Sequence, residues 1–354
     1  MDINWTKLGF HYTEPDYIVR ASFHGEWRRD KLVGEWSEPY ITRDKYISLH
    51  VCATSLQYGQ EAFEGLKAFR GVDGKIRIFR WRDNAMRMQL SAAALKMASP
   101  PDKLFGKAIR LALENNLSFV PPYETGATLY FRPLLIGTTP RLGVGAGRDY
   151  EFVVIPSPIG PYYEKGFSCT SFIINRRVDR AAPLGTGAYK VGGNYAASFR
   201  ATEEAHLSGY DCIFLDSKTH NCIDECSAAN FIAVRGNEYL TPRSPAILPS
   251  ITNNSLMTLA RELGMKVTQR RIKVEELSEF DEAAACGTAC VISPIDKIID
   301  PDKGTVYTFG DKPGLVMTRL YNALQDIQYG RAEDKYHWCE IFKPANGHPE
   351  EIQP

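Results

Sequence analysis

Lys190 is flanked on both sides by glycine, in the run Gly185-Thr-Gly-Ala-Tyr-Lys190-Val-Gly-Gly-Asn-Tyr195. Glycine lets a backbone approach a ligand closely. A lysine amine attacks a carbonyl only when neutral, so a lysine that carries a carbonyl cofactor has to be kept from bulk water and paired with an electron sink. The run suits that chemistry, and it also suits a solvated lysine in a loop ahead of a helix. A phosphate on such a cofactor would need an anion cradle. Pro249-Ser-Ile-Thr-Asn253 leads into a predicted helix N-terminus, whose free N–H groups and positive dipole end suit phosphate. Cys286-Gly-Thr-Ala-Cys290 is a turn of small residues, and an arginine nearby would strengthen either segment by bidentate pairing. Read alone, each is also a plain capped turn. A carboxylate facing a ring nitrogen would keep it protonated and let the ring accept electrons. Glu225, in Ile223-Asp-Glu-Cys-Ser-Ala-Ala-Asn230, sits among small residues that leave room for a flat ring, although a solvated or capping Glu fits the same pattern.

Elements that alternate helical and strand spacing must hold these groups. Met86, Leu90, Ala94 and Met97 recur at helical intervals behind Asp83, which predicts an amphipathic helix over 83–98 with those residues against a sheet. A second helix is predicted over 102–116, then a strand over 128–136 and a glycine-rich linker over 142–148. Beyond it come a short apolar strand at 151–155, a helix over 194–208 stopped by Gly209, an extended segment at 212–216 and a hairpin over 231–241 around Gly236-Asn237. Leu256, Leu259, Ala260 and Leu263 line one face of a predicted helix ending at Gly264. A last helix, from near Pro313, turns Val316, Leu320, Ala323 and Ile327 inward and stops at Gly330. The expectation is an α+β protein in two domains, divided near 140–150, with the tail from Arg331 packed on the larger one as far as Phe342.

A chain of 354 residues exceeds the usual size of one hydrophobic core, which favours two domains. Lys plus Arg and Asp plus Glu number 42 each, so no net field attracts nucleic acid or acidic lipid, and a small-molecule substrate is expected. No apolar run approaches the roughly 18 to 20 residues of a membrane helix, and the start lacks the order of a signal peptide, so a cytoplasmic enzyme is expected. Eight scattered cysteines suit free thiols. Cys222 with Cys226, and Cys286 with Cys290, miss the spacing of common zinc knuckles, and no metal is expected.

Taken in order, these segments resemble the fold-type IV pyridoxal-phosphate enzymes, and among them the branched-chain amino acid aminotransferases. The resemblance runs from Trp36 to Gly330. Phe63-Glu-Gly-Leu-Lys-Ala-Phe-Arg70 resembles the family's early substrate-side signature, Leu129-Tyr-Phe-Arg-Pro-Leu-Leu-Ile-Gly137 its middle strand, and Tyr189-Lys-Val-Gly-Gly-Asn-Tyr195 its lysine motif. It implies a small N-terminal α/β domain over 1–140, an interdomain loop over 141–150, and a larger C-terminal domain over 151–354 with a barrel-like sheet, as in D-amino acid aminotransferase. The implied activity is reversible amino transfer from leucine, isoleucine or valine to 2-oxoglutarate, by ping-pong kinetics through pyridoxal 5′-phosphate.

The resemblance further implies that Lys190 is joined to the cofactor and moves the proton at the substrate Cα. It assigns Glu225 to the ring nitrogen, Tyr195 to the ring 3-oxygen, and Arg80, Ile251, Thr252 and Thr288 to the phosphate. Phe63, Tyr162 and Ala289 become pocket walls; Tyr130 and Arg132 help dock a carboxylate, with Thr288 on the substrate side as well. Tyr58, Leu142 and Val144 reach in from the partner of a homodimer. For each the bland alternative is a surface ion pair or a core side chain. Two departures stand out: Cys290-Val-Ile-Ser293 replaces the Cys-x-x-Cys of some members, and Ala228 stands where some relatives carry a hydroxyl. Rival readings are a D-amino acid aminotransferase, an aminodeoxychorismate lyase, or a non-catalytic pyridoxal-phosphate-binding protein. The Phe63 to Arg70 segment argues against the first two.

Overall fold

The computed structural model describes residues 3–160 and 167–344. In chain order it runs β1 (Ile18–Arg28), β2 (Lys31–Trp36), β3 (Tyr40–Thr42), α1 (Thr54–Tyr58), β4 (Glu61–Phe63), β5 (Leu66–Arg70), β6 (Ile76–Phe79), α2 (Trp81–Ala94), α3 (Asp102–Glu114), β7 (Thr128–Gly137) and β8 (Asp149–Ile159). There follow β9 (Thr170–Asn175), α4 (Gly192–Ala196), α5 (Phe199–Leu207), β10 (Asp211–Leu215), β11 (Ile223–Cys226), β12 (Asn230–Arg235), β13 (Glu238–Pro242) and α6 (Ile251–Glu262). The chain closes with β14 (Lys266–Arg270), β15 (Glu282–Gly287), β16 (Val291–Asp300), β17 (Thr305–Thr308), α7 (Leu315–Gln328) and β18 (Cys339–Ile341).

Two sheets result. The first has the order β18-β6-β5-β7-β8-β1-β2, with β3 on β1 and β4 on β7. It packs on α2 and α3 through Met88, Phe105, Ile109, Phe131 and Phe152. In the second, the path β11-β10-β9-β16-β15-β12 is closed by pairing of β11 with β12, giving a six-stranded barrel, and β13, β14 and β17 are attached to it. Strand alternation fills it: Phe172, Ile213, Phe231, Ala233, Ala285 and Ile295 form the interior. Ile232 and Val234, pointing the other way, meet Leu256 of α6 and Leu320 and Leu324 of α7.

Several expectations need correction. The helix predicted over 83–98 spans Trp81–Ala94, and Met86 and Leu90 are 54% and 56% exposed, while Asn84, Arg87, Met88 and Ser91 are buried. Its inner face mixes apolar Trp81, Ala85, Met88 and Ala92 with the polar Asn84, Arg87 and Ser91, which hold the site described below. The helix over 194–208 is two helices, α4 and α5. The strand expected after the linker is eleven residues long and belongs to the first sheet, where β8 forms a ten-pair ladder with β7. The tail does not pack on the larger domain alone; β18 pairs with β6, and Phe342 joins the first core. The hairpin around Gly236 and the helix stops at Gly264 and Gly330 agree with expectation, all three glycines having positive φ. No helix among the described residues is long and apolar enough to cross a membrane.

Candidate active site

Lys190 enters α4 from a turn-rich segment. Its Nζ donates to the Tyr195 hydroxyl at 2.9 Å, five residues on, and lies 4.7 Å from the Phe63 ring centroid. Both backbone groups of the lysine are tied to elements of the first sheet region: its N–H donates to Ser91 Oγ at 3.0 Å, and its carbonyl accepts from Phe63 N–H at 3.1 Å. Phe63 and Tyr195 meet edge to face, 5.0 Å between centroids. A Cβ at Gly192 would run into the Glu61 carboxylate, so this glycine permits β4 to approach the lysine loop.

Asn84, Arg87 and Ser91 lie three and four residues apart, on one face of α2. Arg87 donates through Nε and Nη2 to Glu64 at 2.6 and 2.7 Å, and through Nη1 to the Pro249 carbonyl at 3.0 Å. Asn84 Nδ2 donates to Glu64 at 2.7 Å. Burial pushes the Glu64 carboxyl up, but the Arg87 charge and its hydrogen bonds outweigh this, and the net direction is down. Since Ser91 holds Lys190 and Arg87 holds Pro249, α2 sets the lysine loop against the loop ahead of α6.

That loop ends in Ser250, whose hydroxyl accepts from Asn253 N–H at 3.1 Å and caps α6. The first turn, with Ile251 and Thr252, thus presents helix N–H groups and the positive dipole end to an anion. Arg80, left-handed at φ 49°, donates to Asp83 at 2.9 Å and to Ser255 Oγ and Asn254 Oδ1 at 2.8 and 3.0 Å, reaching this first turn from the side of the first sheet. Thr288 lies in the turn between β15 and β16 and lines a small cavity with Ile251, Thr252 and Lys67. The Lys67 amine donates to the Ala289 carbonyl of the same turn at 3.0 Å.

Glu225, on β11, is buried and ion-paired to Arg180, and accepts from Leu248 N–H at 3.3 Å. Burial raises its carboxyl to about 7, against the lowering pull of Arg180; the Lys190 charge also reaches it. On the other side of the lysine, Arg132 donates to the Tyr130 hydroxyl through Nε and Nη2 at 3.1 and 3.0 Å and stands 4.9 Å over the Phe63 ring. Lys190, Tyr195, Phe63, Tyr130 and Arg132 are therefore joined by contacts. Arg80, Ile251, Thr252 and Thr288 form a second group around α6, with Ala289 beside it. Tyr58 donates to the Leu142 carbonyl, and Leu142 and Val144 are 80% and 87% exposed, so these three form a separate surface cluster. Tyr162 lies outside the described residues.

Arg180, Glu64, Arg87, Ser91 and Lys67 contact the groups above and are residues that sequence reasoning does not single out. The three-and-four spacing of Asn84, Arg87 and Ser91 is the one signal available in the chain; nothing local marks Arg180, 45 residues from its partner. Cys286 and Cys290 are free, and burial pushes both thiols up, Cys290 to about 12. Among the described residues no cluster of three or more His, Cys, Asp or Glu could hold a metal ion.

The family profile described as amino-transferase class IV matches residues 61–298. The branched-chain-amino-acid aminotransferase of Haemophilus influenzae is 42% identical over 345 residues, covering 95% of this chain and 98% of its own. The crystal structure of the Escherichia coli branched-chain amino acid aminotransferase is similar with a TM-score of 0.75 at 26% identity, over 93% of this chain and all of that one. A T.th. branched-chain amino acid aminotransferase, solved with pyridoxamine 5′-phosphate, shares the fold with a TM-score of 0.74 at 24% identity, over 93% and 99% of the two chains.

Proposed function

The chain belongs to the class IV aminotransferases, and on that footing we propose that Lys190 is the residue to which its pyridoxal 5′-phosphate is joined. The reaction is transfer of the amino group of leucine, isoleucine or valine to 2-oxoglutarate, giving the branched 2-oxo acid and glutamate. The residues present fit this cofactor. An amine with a hydroxyl at 2.9 Å, a buried carboxylate within reach of its charge, and a capped helix start flanked by Arg80 and Thr288 are the three groups that an aldehyde, a ring nitrogen and a phosphate each require.

When bound, pyridoxal 5′-phosphate supplies the carbonyl that takes the amino group and the ring that accepts the Cα electron pair. The chain's own residues do the rest. Lys190 would hold the cofactor, and its amine, when free, would move the proton between the substrate Cα and cofactor C4′. The Tyr195 hydroxyl steers that amine and would face the ring 3-oxygen. Ionised Glu225 keeps the proton on the ring nitrogen, with Arg180 holding the carboxylate in its charged form. Phe63 and Ala289, with Tyr162, wall the apolar side-chain pocket, and Arg132 with Tyr130 meets the second carboxylate of glutamate. Arg80, Ile251, Thr252 and Thr288 hold the phosphate, and Thr288 borders the substrate.

We place Tyr58, Leu142 and Val144 at the pocket of a partner in a homodimer, since two exposed apolar residues and a tyrosine make little sense facing water. A cytoplasmic enzyme is our reading, and a small-molecule substrate agrees with the balanced charge. The observation that carries the reading is the Lys190–Tyr195 contact where the Gly-rich run enters α4. Incubation with leucine and 2-oxoglutarate should yield glutamate, and Lys190→Ala should abolish it; unchanged turnover in that variant removes Lys190 from the role.

A further inference from the structure

Lys67 is the anomaly of the interior. It is 7% exposed, its amine donates to one carbonyl, Ala289, at 3.0 Å, and among the described residues no carboxylate lies within ion-pairing distance. A buried charge without a counter-charge is costly, and buried cations are normally found paired. Burial, the larger influence, pushes this amine down to about 8 against the opposing effect of Cys290. The position is not incidental to the site. Lys67 is the cross-strand partner of Tyr130, so the two side chains share a sheet face, and Lys67 lines one small cavity with Ile251, Thr252 and Thr288.

We propose that Lys67 is the buried counter-cation for an oxyanion seated on the Gly287–Cys290 turn, either the substrate carboxylate or the cofactor phosphate, and that it also fixes the plane of the Ala289 peptide. The carbonyl of that peptide faces the ammonium, so the turn is held from behind while its front receives the anion. The ion that would balance Lys67 is then supplied by the bound ligand rather than by the chain. Lys67 acts on the anion by its charge and on the turn by its hydrogen bond; it is a positioning residue and does not touch the reacting atoms.

The inference rests on the cofactor reading above. Its test compares wild type, Lys67→Met and Lys67→Arg, with the apoprotein titrated against pyridoxal 5′-phosphate and against pyridoxal, which lacks the phosphate, and with KM for leucine measured on the reloaded enzyme. In Lys67→Met an affinity loss of about tenfold or more for one of the two anions is expected, with restoration by Arg toward wild type and kcat little changed. A loss for pyridoxal 5′-phosphate but not for pyridoxal identifies the phosphate as the anion; a rise in leucine KM with both cofactor affinities intact identifies the carboxylate. If circular dichroism finds the Met variant unfolded, Lys67→Gln carries the same comparison. A folded neutral variant in which both affinities and leucine KM stay within about twofold of wild type overturns the inference. Wild type that binds no pyridoxal 5′-phosphate would instead overturn the reading on which it rests.

Discussion

Arg180 and Glu225 form an ion pair inside the protein, each less than a tenth exposed, although 45 residues separate them in the chain. The pair explains how a carboxylate in a dry pocket stays poised for ionisation. Burial drives the acid form, the guanidinium drives the charged form, and the balance lies at about 7. Replacing Arg180 with Met removes the cation that pulls hardest against burial and leaves the Leu248 N–H bond and the weaker pull of Lys190, so the Glu225 carboxyl should move further up. Ionised Glu225 is then scarce at neutral pH. The expected result is a large fall in kcat near neutral pH that is partly regained as pH rises, read from a kcat–pH profile of the variant beside wild type. A profile of unchanged shape would separate Arg180 from the ionisation of Glu225.

The Glu64–Arg87 pair joins the β4–β5 connection to α2 and, through Pro249, to the start of α6. Leaving either charge without its partner in the interior should cost about 3–5 kcal/mol of stability. Glu64→Gln and Arg87→Met are therefore expected to lower the midpoint of urea unfolding and to release the cofactor more readily, and Arg87→Lys should not rescue, because a lysine cannot reproduce the two parallel bonds. The pH dependence has a fixed sign. The Glu64 carboxyl is held below its ordinary value of 4.5 in the folded protein, so its contribution is complete above that value and is lost as the pH falls through the folded value. Wild type should thus lose stability on acidification more steeply than Glu64→Gln does; parallel acid curves for the two proteins would contradict this.

Gly65 stands where a Cβ would meet the Tyr130 hydroxyl and ring. Gly65→Ala must displace that ring and with it the two hydrogen bonds from Arg132. Since Arg132 and Tyr130 are assigned to the second carboxylate of glutamate, KM for 2-oxoglutarate and glutamate should rise about tenfold or more, while KM for leucine changes less. Equal increases for all three substrates would point to a general disturbance of the pocket instead.

Much of this site is legible in the chain because its chemistry sits in short contiguous runs. The lysine and its tyrosine are five residues apart, Ser250 through Thr252 announce a capped helix, and Glu225 lies among small residues. The supporting layer is hidden for a physical reason. Hydrophobic periodicity finds buried apolar faces, and α2 buries Asn84, Arg87 and Ser91 beside Ala85 and Met88 while leaving Met86, Leu90 and Ala94 to solvent, so most of the stripe that looks like the inner face is outer. Arg180 and Lys67 are recognisable only once strands distant in sequence are folded together. In the fold, β8 follows a glycine-rich stretch that reads as the start of something new. Its ladder with β7 runs from Thr128 opposite Ile159 to Gly137 opposite Tyr150, and no local signal distinguishes a long hairpin return from a domain boundary. The tail strand, only three residues long, depends on β6 for its existence.

The central claim is that one amine carries the cofactor. Borohydride reduction of the cofactor-loaded protein, followed by peptide mapping, tests it most directly: the pyridoxyl label should be found on the peptide containing Lys190 and disappear in Lys190→Ala. Label on Lys67 or any other lysine, or no label on a protein that turns over leucine, would contradict the account.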